Sequence, residues 1–360
     1  MRVAVVWNHD HTGVINRFGR PRPGFYDRET FDNVVAALQE GGHETLLCEG
    51  DKGLFSTLEQ FMPPDPLARP SGMVFNMAYG IQGECYYGHV PSMLEMAGVP
   101  YTGSTPLGHG LADDKVIAKR LFRDCGVPTP NFRVMRRGSE STGDLRFPVV
   151  VKPRHEDDSC GLQLVHEPAQ LSRAVEAIVA QYAQDALVEE YIDGREICVA
   201  LLGNGKLDVF PSVEIDLGET GLYTWEAKYQ AAASRPKVCP AEIGSGLATL
   251  LQDISVASFR ACQCRDYARV DLRIDRAGQP FVLEINSMPG LSVHSTFAIA
   301  AMTAGHSYSS LINRILHVAH MRCFGIGIPR PCCTPFQWRG GCECPGDKPS
   351  ALLGNLGAKT

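Results

Sequence analysis

Apolar positions recur along the chain at two periods, and each period predicts a kind of element. The segment "RVAVVW", Arg2 to Trp7, is a short continuous apolar run, as expected of a strand buried on both faces. A polar loop rich in Arg, Pro and Gly, "NHDHTGVINRFGRPRPGFYD", separates it from "FDNVVAALQEGG", where Phe31, Val34, Val35 and Leu38 fall at i, i+3, i+4 and i+7. That spacing predicts a helix, which Gly41-Gly42 ends. "HETLLCE" and "GMVFNMA" read as further strands, and "VPSMLEMAG" as a short helix. Strand and helix in alternation predict a parallel sheet covered by helices. Ligands of such sheets bind at loops beyond the strand C-termini. The loop after Trp7 and the "YGIQGE" loop after Ala78 are therefore candidates to line a site.

A second unit begins near Thr105, where "ADDKVIAKRLFRDCG" reads as one helix stopped by Gly126, Pro128 and Pro130. "RFPVVVKPRHEDDSCGLQLVHE" follows as a strand, a polar loop and a second strand. Leu171, Ala174, Val175, Ile178 and Tyr182 then share one helical face, and "ALVEEYI" is a strand leaving the unit. The third unit is richer in strands. "REICVALLGNGKLDVFPSVEI" is a hairpin turning at Asn204-Gly205. A loop, "DLGETGLYTWEAKYQAAASRPK", and the helix around "LATLLQDISVASFRACQC" lead to a second hairpin, "ARVDLRIDRAGQPFVLEIN", and "SYSSLINRILHVAH" adds a helix.

The faces of the second hairpin carry the chemistry. With a side-chain period of two, "FVLEIN" sets Phe281, Leu283 and Ile285 on one face and Val282, Glu284 and Asn286 on the other. "ARVDLRID" sets Val270, Leu272 and Ile274 against Arg269, Asp271 and Arg273. A turn centred on Arg276-Ala277-Gly278 brings Asp271 opposite Glu284 or one step off, and Arg269 near Asn286. Opposed like charges destabilise a strand pair. A cation between them turns that penalty into a site, and two carboxylates with an amide suit Mg2+. Two other readings stay open on the pattern: one carboxylate is exposed, or Arg269 and Arg273 neutralise both. Lys152, ending the buried run "VVVKP", needs an anion to compensate for its burial. The loop "HEDDSCG", with Ser159 and Gly161, can offer backbone N–H groups to phosphate oxygens. No G-x-x-x-x-G-K-[ST] occurs in the chain, so a nucleotide is not held by a P-loop.

Composition adds bounds. A chain of 360 residues has room for two or three domains. Its formal net charge of -6 gives no reason to expect a polyanion such as nucleic acid as partner. No apolar run approaches the roughly 18–20 residues of a membrane span, and the N-terminal run is too short for a signal peptide. Of thirteen cysteines, nine are scattered, mostly in apolar contexts where a reduced, buried thiol is expected, in keeping with a cytoplasmic setting. Cys332, Cys333, Cys342 and Cys344 cluster in the tail without the C-x2-C spacing of a metal knuckle. A flexible Cys-rich extension is the expectation there, with a metal site as the alternative.

Six stretches then stand in a recognisable order: "YTGSTPLGHGLADDK", "VVVKP", "VEEYIDGREICVALLG", "EAKY", "RVDLRID" and "LEINSMPGLSVHS". The chain resembles the D-alanine–D-alanine ligases of the ATP-grasp superfamily from residue 1 to about 320. The resemblance implies an α/β fold, α+β in its C-terminal half. An N-terminal parallel-sheet domain (1–103), a central subdomain (104–190) and a C-terminal antiparallel-sheet subdomain (191–320) would precede the tail (321–360), with ATP clasped between the latter two. It implies that Lys115 and Lys152 contact phosphate, and that Glu189 meets the adenine amino group. Glu190, Tyr191 and Ile192 would run beside the base, and Glu196 would hold the ribose. Lys228 would reach the γ-phosphate as its loop closes. Asp271, Glu284 and Asn286 would bind Mg2+ or Mn2+, as two ions. Arg269 and the Gly290 N–H would stabilise a tetrahedral intermediate, and Ser295 would receive the second substrate's carboxylate. The implied reaction is an amide ligation through an acylphosphate, on amino-acid or peptide substrates, by a homodimer.

Departures cluster where the first substrate should sit. The family's first loop carries a glutamate for the substrate ammonium, yet no glutamate occurs here before Glu29. The serine that links that glutamate to the tyrosine of "EAKY" falls at Asp158, whereas Tyr229 is kept, and a histidine-glycine pair falls at Tyr79-Gly80. A donor other than D-alanine is the expectation, and Arg17, Arg20 and Arg22 suit one with an extra acidic group. The alternatives are D-alanine itself, an ATP-binding regulator or scaffold without catalysis, and a carboxylase of the same superfamily.

Overall fold

In the computed structural model, which describes residues 1–9, 12–18, 27–67, 70–218, 221–225, 228 and 235–325, three sheets build a cleft. The first is parallel, with β1 (Arg2–Trp7), α1 (Arg28–Glu40), β2 (Glu44–Glu49), α2 (Leu54–Phe61) and β3 (Gly72–Asn76) in strand order β2-β1-β3. Both faces of β1 and β3 are covered, so their apolar runs have no polar alternation. Val3, Val5 and Phe75 pack on Phe31, Val34 and Leu38 of α1, and Ala4, Val6 and Val74 on Leu54 and Leu58 of α2.

Next come α3 (His89–Ala97), α4 (Pro106–Asp113) and α5 (Lys115–Asp124). The single helix expected over "ADDKVIAKRLFRDCG" is thus two. Asp114 leaves helical conformation and its side chain accepts from Val116 N and Ile117 N at 3.0 and 3.1 Å. Arg154 grips the same carboxylate, so the cap is locked and Lys115 begins a new helix.

The second sheet is antiparallel: β4 (Phe132–Met135), β5 (Val149–Pro153), β6 (Gln163–Val165), α6 (Pro168–Tyr182) and β7 (Ala186–Glu190), in order β4-β7-β5-β6. Val149, Val151 and Val188 pack under Leu171, Val175 and Ile178 of α6. The period of two then turns Val150, Lys152 and Glu189 to the opposite face.

The third sheet, also antiparallel, follows the order β11-β10-β8-β12-β13 with β9 on β8. Its elements are β8 (Gly194–Gly203), β9 (Leu207–Val209), β10 (Val213–Ile215), β11 (Lys237–Val238), α7 (Ser245–Ala261), β12 (Tyr267–Asp275) and β13 (Pro280–Asn286), before α8 (Thr296–Thr303) and α9 (Tyr308–Phe324). Val199, Leu201, Val270 and Leu272 bury one face on Leu251, Ile254 and Phe259 of α7. On the other face, Cys198, Ala200 and Tyr267 share a core with Phe297 and with the first sheet. The remainder of that face opens to the cleft.

Strict alternation in "FVLEIN" does not hold. Asp271 pairs with Glu284 and Leu272 with Val282, so Leu283 is an extra, bulged residue. Val282 and Ile285 consequently both reach the core, while Leu283 and Glu284 both line the cleft. "SYSSLINRILHVAH" forms α9 as expected and lies against α1, where Asn313 Nδ2 donates to Ala37 O at 2.7 Å. No helix among the described residues is long and apolar enough to cross a membrane. The nine cysteines among them are free thiols; the tail cluster lies outside the described residues.

Arg322 near the end of α9 donates to Asp266 at 2.7 and 2.9 Å and to Tyr101 O at 2.7 Å. Asp266 is fully buried and also accepts from Gly103 N and Asn204 Nδ2. α9 is thereby tied to the first–second unit connection and to the β8–β9 turn. Arg322→Met leaves Asp266 buried without its cation and is expected to cost about 3–5 kcal/mol, read as a lower urea midpoint at pH 7 with an unchanged slope.

Candidate functional site

Between the second and third sheets lies a cleft of about 340 Å3, a size that suits a small-molecule site of about 300–1,000 Å3. The second unit contributes Lys115, Lys152, Asp158, Ser159, Glu189 and Glu190; the linker and third unit contribute Tyr191, Ile192, Glu196, Lys228, Arg269, Asp271, Glu284, Gly290 and Ser295. Asn286 joins through Asp271, to which its Nδ2 donates at 3.0 Å. Tyr229, Arg20 and Arg22 lie outside the described residues. Fifteen expected residues, from two sheets, their loops and the start of α5, therefore share one cavity.

Register explains the centre of the site. Asp271 and Glu284 are Cα partners, as are Arg269 and Asn286. Arg269 forks onto Asp271 with two bonds of 2.7 Å. Glu284 instead has Lys115 at 3.7 Å. Burial raises the Glu284 carboxyl, but Lys115, Lys152, Lys228 and Arg269 outweigh it and hold Glu284 at about 2. For Lys115, burial opposes charging, while Glu284 and Asp157 more than restore it and raise its pKa. Its Nζ also donates to Glu156 O at 2.6 Å.

Glu189 departs from a simple base-facing role. Its carboxylate takes Lys152 at 2.5 Å and Lys119 at 2.8 Å. Burial works against its charge, and those two lysines win, so its pKa is lowered. Lys119 was not among the expected site residues, although it stands four residues after Lys115 on α5 and so on the same helical face. Glu284 acts on both ammonium groups as well: it raises the pKa of Lys119, and Lys152 lowers that of Glu284.

Glu196 is answered by Arg273, with bonds of 3.1 and 3.3 Å. Burial pushes the Glu196 carboxyl up, and Arg273 only partly offsets this. Arg273 also donates to Ile192 O at 2.9 Å and to Gly221 O, and stacks 5.0 Å from the Tyr191 ring centre. It thereby joins the linker between β7 and β8 to the loop that carries Lys228. Glu190 points the other way, onto Arg146 at 2.7 Å, and meets the cleft at its edge.

The polar loop after β5 takes a left-handed course at Asp158, Ser159 and Gly161, with φ of 57°, 60° and 70°. At Gly161 a Cβ would come within 2.7 Å of the Tyr182 ring, so the turn requires glycine. Ser159 Oγ donates to Tyr223 O at 2.7 Å, and Lys228 Nζ lies 5.2 Å over the Tyr223 ring. The loops from the two sheets are thus in contact across the cleft. Asp27, Thr30 and Tyr79 close the end nearest the first sheet. There, Tyr87 Oη donates to Asp157 at 2.8 Å. Ser295 caps α8, its hydroxyl accepting from Ala298 N at 3.1 Å.

With this geometry in hand, the family model described as the D-ala D-ala ligase C-terminus matches residues 121–317. An uncharacterized protein of Sinorhizobium fredii, y4sG, is 74% identical over 334 residues, covering 91% of this chain and 99% of its own. A D-alanine–D-alanine ligase of Marinobacter nauticus is 36% identical over 286 residues, covering 79% of this chain and 83% of its own. The crystal structure of D-alanine–D-alanine ligase from Bacillus anthracis complexed with ATP shares the fold, with a TM-score of 0.68 at 24% identity over 89% of this chain and 97% of that one.

Lys119 makes the charge balance measurable. Burial, partly offset by Glu189, pushes it down from 10.5 to about 8. Between those values the unfolded chain holds a proton that the folded chain has released, so this lysine's contribution to stability rises with pH, by at most about 1.4 kcal/mol per unit. The unfolding free energy of the wild type minus that of Lys119→Met is expected to climb from pH 8 to pH 10 in urea titrations. Parallel pH profiles would contradict the assignment.

Proposed function

This chain belongs to the D-alanine–D-alanine ligase family, and from that premise we propose that it joins a carboxylate to an amine with ATP, through an acylphosphate. The carrying observation is the convergence of Lys115, Lys152, Lys228, Arg269, Asp271 and Glu284 on one cleft. Phosphoryl transfer asks for positioning and charge neutralisation more than for a protein nucleophile. Lys115 and Lys152 supply that charge, and Lys228 completes it from the facing loop. Glu196 holds the ribose, while Tyr191, Ile192 and the Glu190 backbone flank the base. Glu189 turns to the base as Lys152 exchanges it for phosphate.

Asp271, Glu284 and Asn286 would hold Mg2+ or Mn2+. Their hard oxygens and directly opposed carboxylates fit a divalent ion. Such an ion, when bound, neutralises triphosphate charge. Arg269 and the Gly290 N–H serve the tetrahedral oxyanion, where one lost donor costs about 10²–10³-fold in rate. Ser295 orients the amine substrate, and the loop of Lys228 and Tyr229 excludes water from the acylphosphate. A cytoplasmic homodimer acting on amino acids or short peptides completes the reading.

We assign the donor as other than D-alanine. The first loop has no glutamate before Glu29, and the wall there is made by Asp27, Thr30 and Tyr79. D-alanine as donor is the second reading, favoured by the 36% identity to a ligase of that name.

Glu284→Gln is expected to abolish ATP turnover while the circular dichroism spectrum is kept; wild-type turnover in that variant would remove the metal from the account. A phosphate-release screen over D- and L-amino acids and dipeptides, singly and in pairs, with mass spectrometry of products, is expected to find a pair that outperforms D-alanine alone. Robust D-alanyl-D-alanine formation would establish the second reading.

A further inference from the structure

Lys237 has no part in the ligase chemistry proposed for this cleft. It opens β11, the edge strand, and pairs with Ile215 of β10 on the cleft side. Its ammonium donates to His294 O at 2.8 Å, and Ser292 and Ser295, flanking His294, line the same cleft. Of the five other cations of the cleft, four face a carboxylate: Arg269 faces Asp271, Arg273 faces Glu196, Lys152 faces Glu189 and Lys115 faces Glu284, while Lys228 lies over the Tyr223 ring. Among the described residues no carboxylate pairs with Lys237. The acid on the adjacent strand, Glu214, projects to the opposite face and is taken by Arg195 at 2.7 Å. Ile215 offers Lys237 no charge, and Arg269 is a like charge. Burial lowers its pKa, Cys198 opposes this only in part, and Arg269 adds to the lowering. A half-buried ammonium in these surroundings lacks an anion.

Position decides which anion. β11 lies three strands from β12, or about 14 Å at the usual strand spacing, on the far side from Lys115 and Glu284. The bond to His294 carries the ammonium toward Ser295, where the amine substrate is oriented in the reading above. We propose that Lys237 is a specificity-determining residue that binds a carboxylate of the amine substrate. This rests on the ligase reading and extends it to the substrate's charge.

Calorimetry with a non-hydrolysable ATP analogue and Mg2+, followed by alanine, aspartate or alanine amide of either hand, tests it on the full chain. Lys237→Met is expected to weaken amino-acid binding by about tenfold or more, Lys237→Arg to recover part of the loss, and the amide to bind both variants as it binds the wild type. A loss confined to aspartate assigns a side-chain carboxylate; a loss shared by alanine assigns the α-carboxylate. Equal amino-acid affinity in Lys237→Met and wild type overturns the proposal, as does a wild type that binds the nucleotide analogue but none of the amino acids. Failure to bind the nucleotide analogue would instead strike the ligase reading.

Discussion

Asp271 and Glu284 face one another across two hydrogen-bonded strands, and the rest of the site is arranged around that opposition. Two like charges about 5 Å apart repel by about 3 kcal/mol at an effective dielectric of about 20. The chain offsets this from two directions. Arg269, two residues before Asp271 on the same strand face, forks onto one carboxylate. Lys115 reaches the other from a different unit, standing at the first residue of the helix that the Asp114 cap starts. Charge placed on the third sheet thereby holds the second unit against it.

The same logic extends outward. Lys152 and Lys119 close on Glu189, and Arg273 closes on Glu196. These groups satisfy one another in a partly dry cleft, where an isolated charge would be costly. An anionic ligand with its own cations can therefore enter by exchange of partners, at a smaller desolvation cost than meeting bare charges would imply. The bulge at Leu283 has a related consequence, since it sets an apolar side chain and a carboxylate side by side in one cleft.

Much of the site was legible from residue order because its parts lie on strands. A period of two is enough to send Arg269, Asp271 and Arg273 to one face and Val270, Leu272 and Ile274 to the core. The hairpin turn, with Gly278 at φ 85°, then sets the register within a residue. Period failed where the backbone broke it. The Leu283 bulge and the Asp114 helix break both depend on partners distant in sequence, namely the facing strand and Arg154. Lys119 carries no such signal in the sequence, because an i+4 lysine on an amphipathic helix is ordinarily solvated and only the approach of β7 buries it.

By itself the sequence determined the strand faces, the turn and the run of motifs, because alternation and glycine conformations are local properties of the chain. It thereby determined most of the charged residues that line the cleft and the family to which the chain belongs. Only the tertiary structure decided which cation answers which carboxylate, and that Lys237 answers none among the described residues. Ion pairing in a low-dielectric cleft depends on separations between elements far apart along the chain, and no local periodicity encodes those separations.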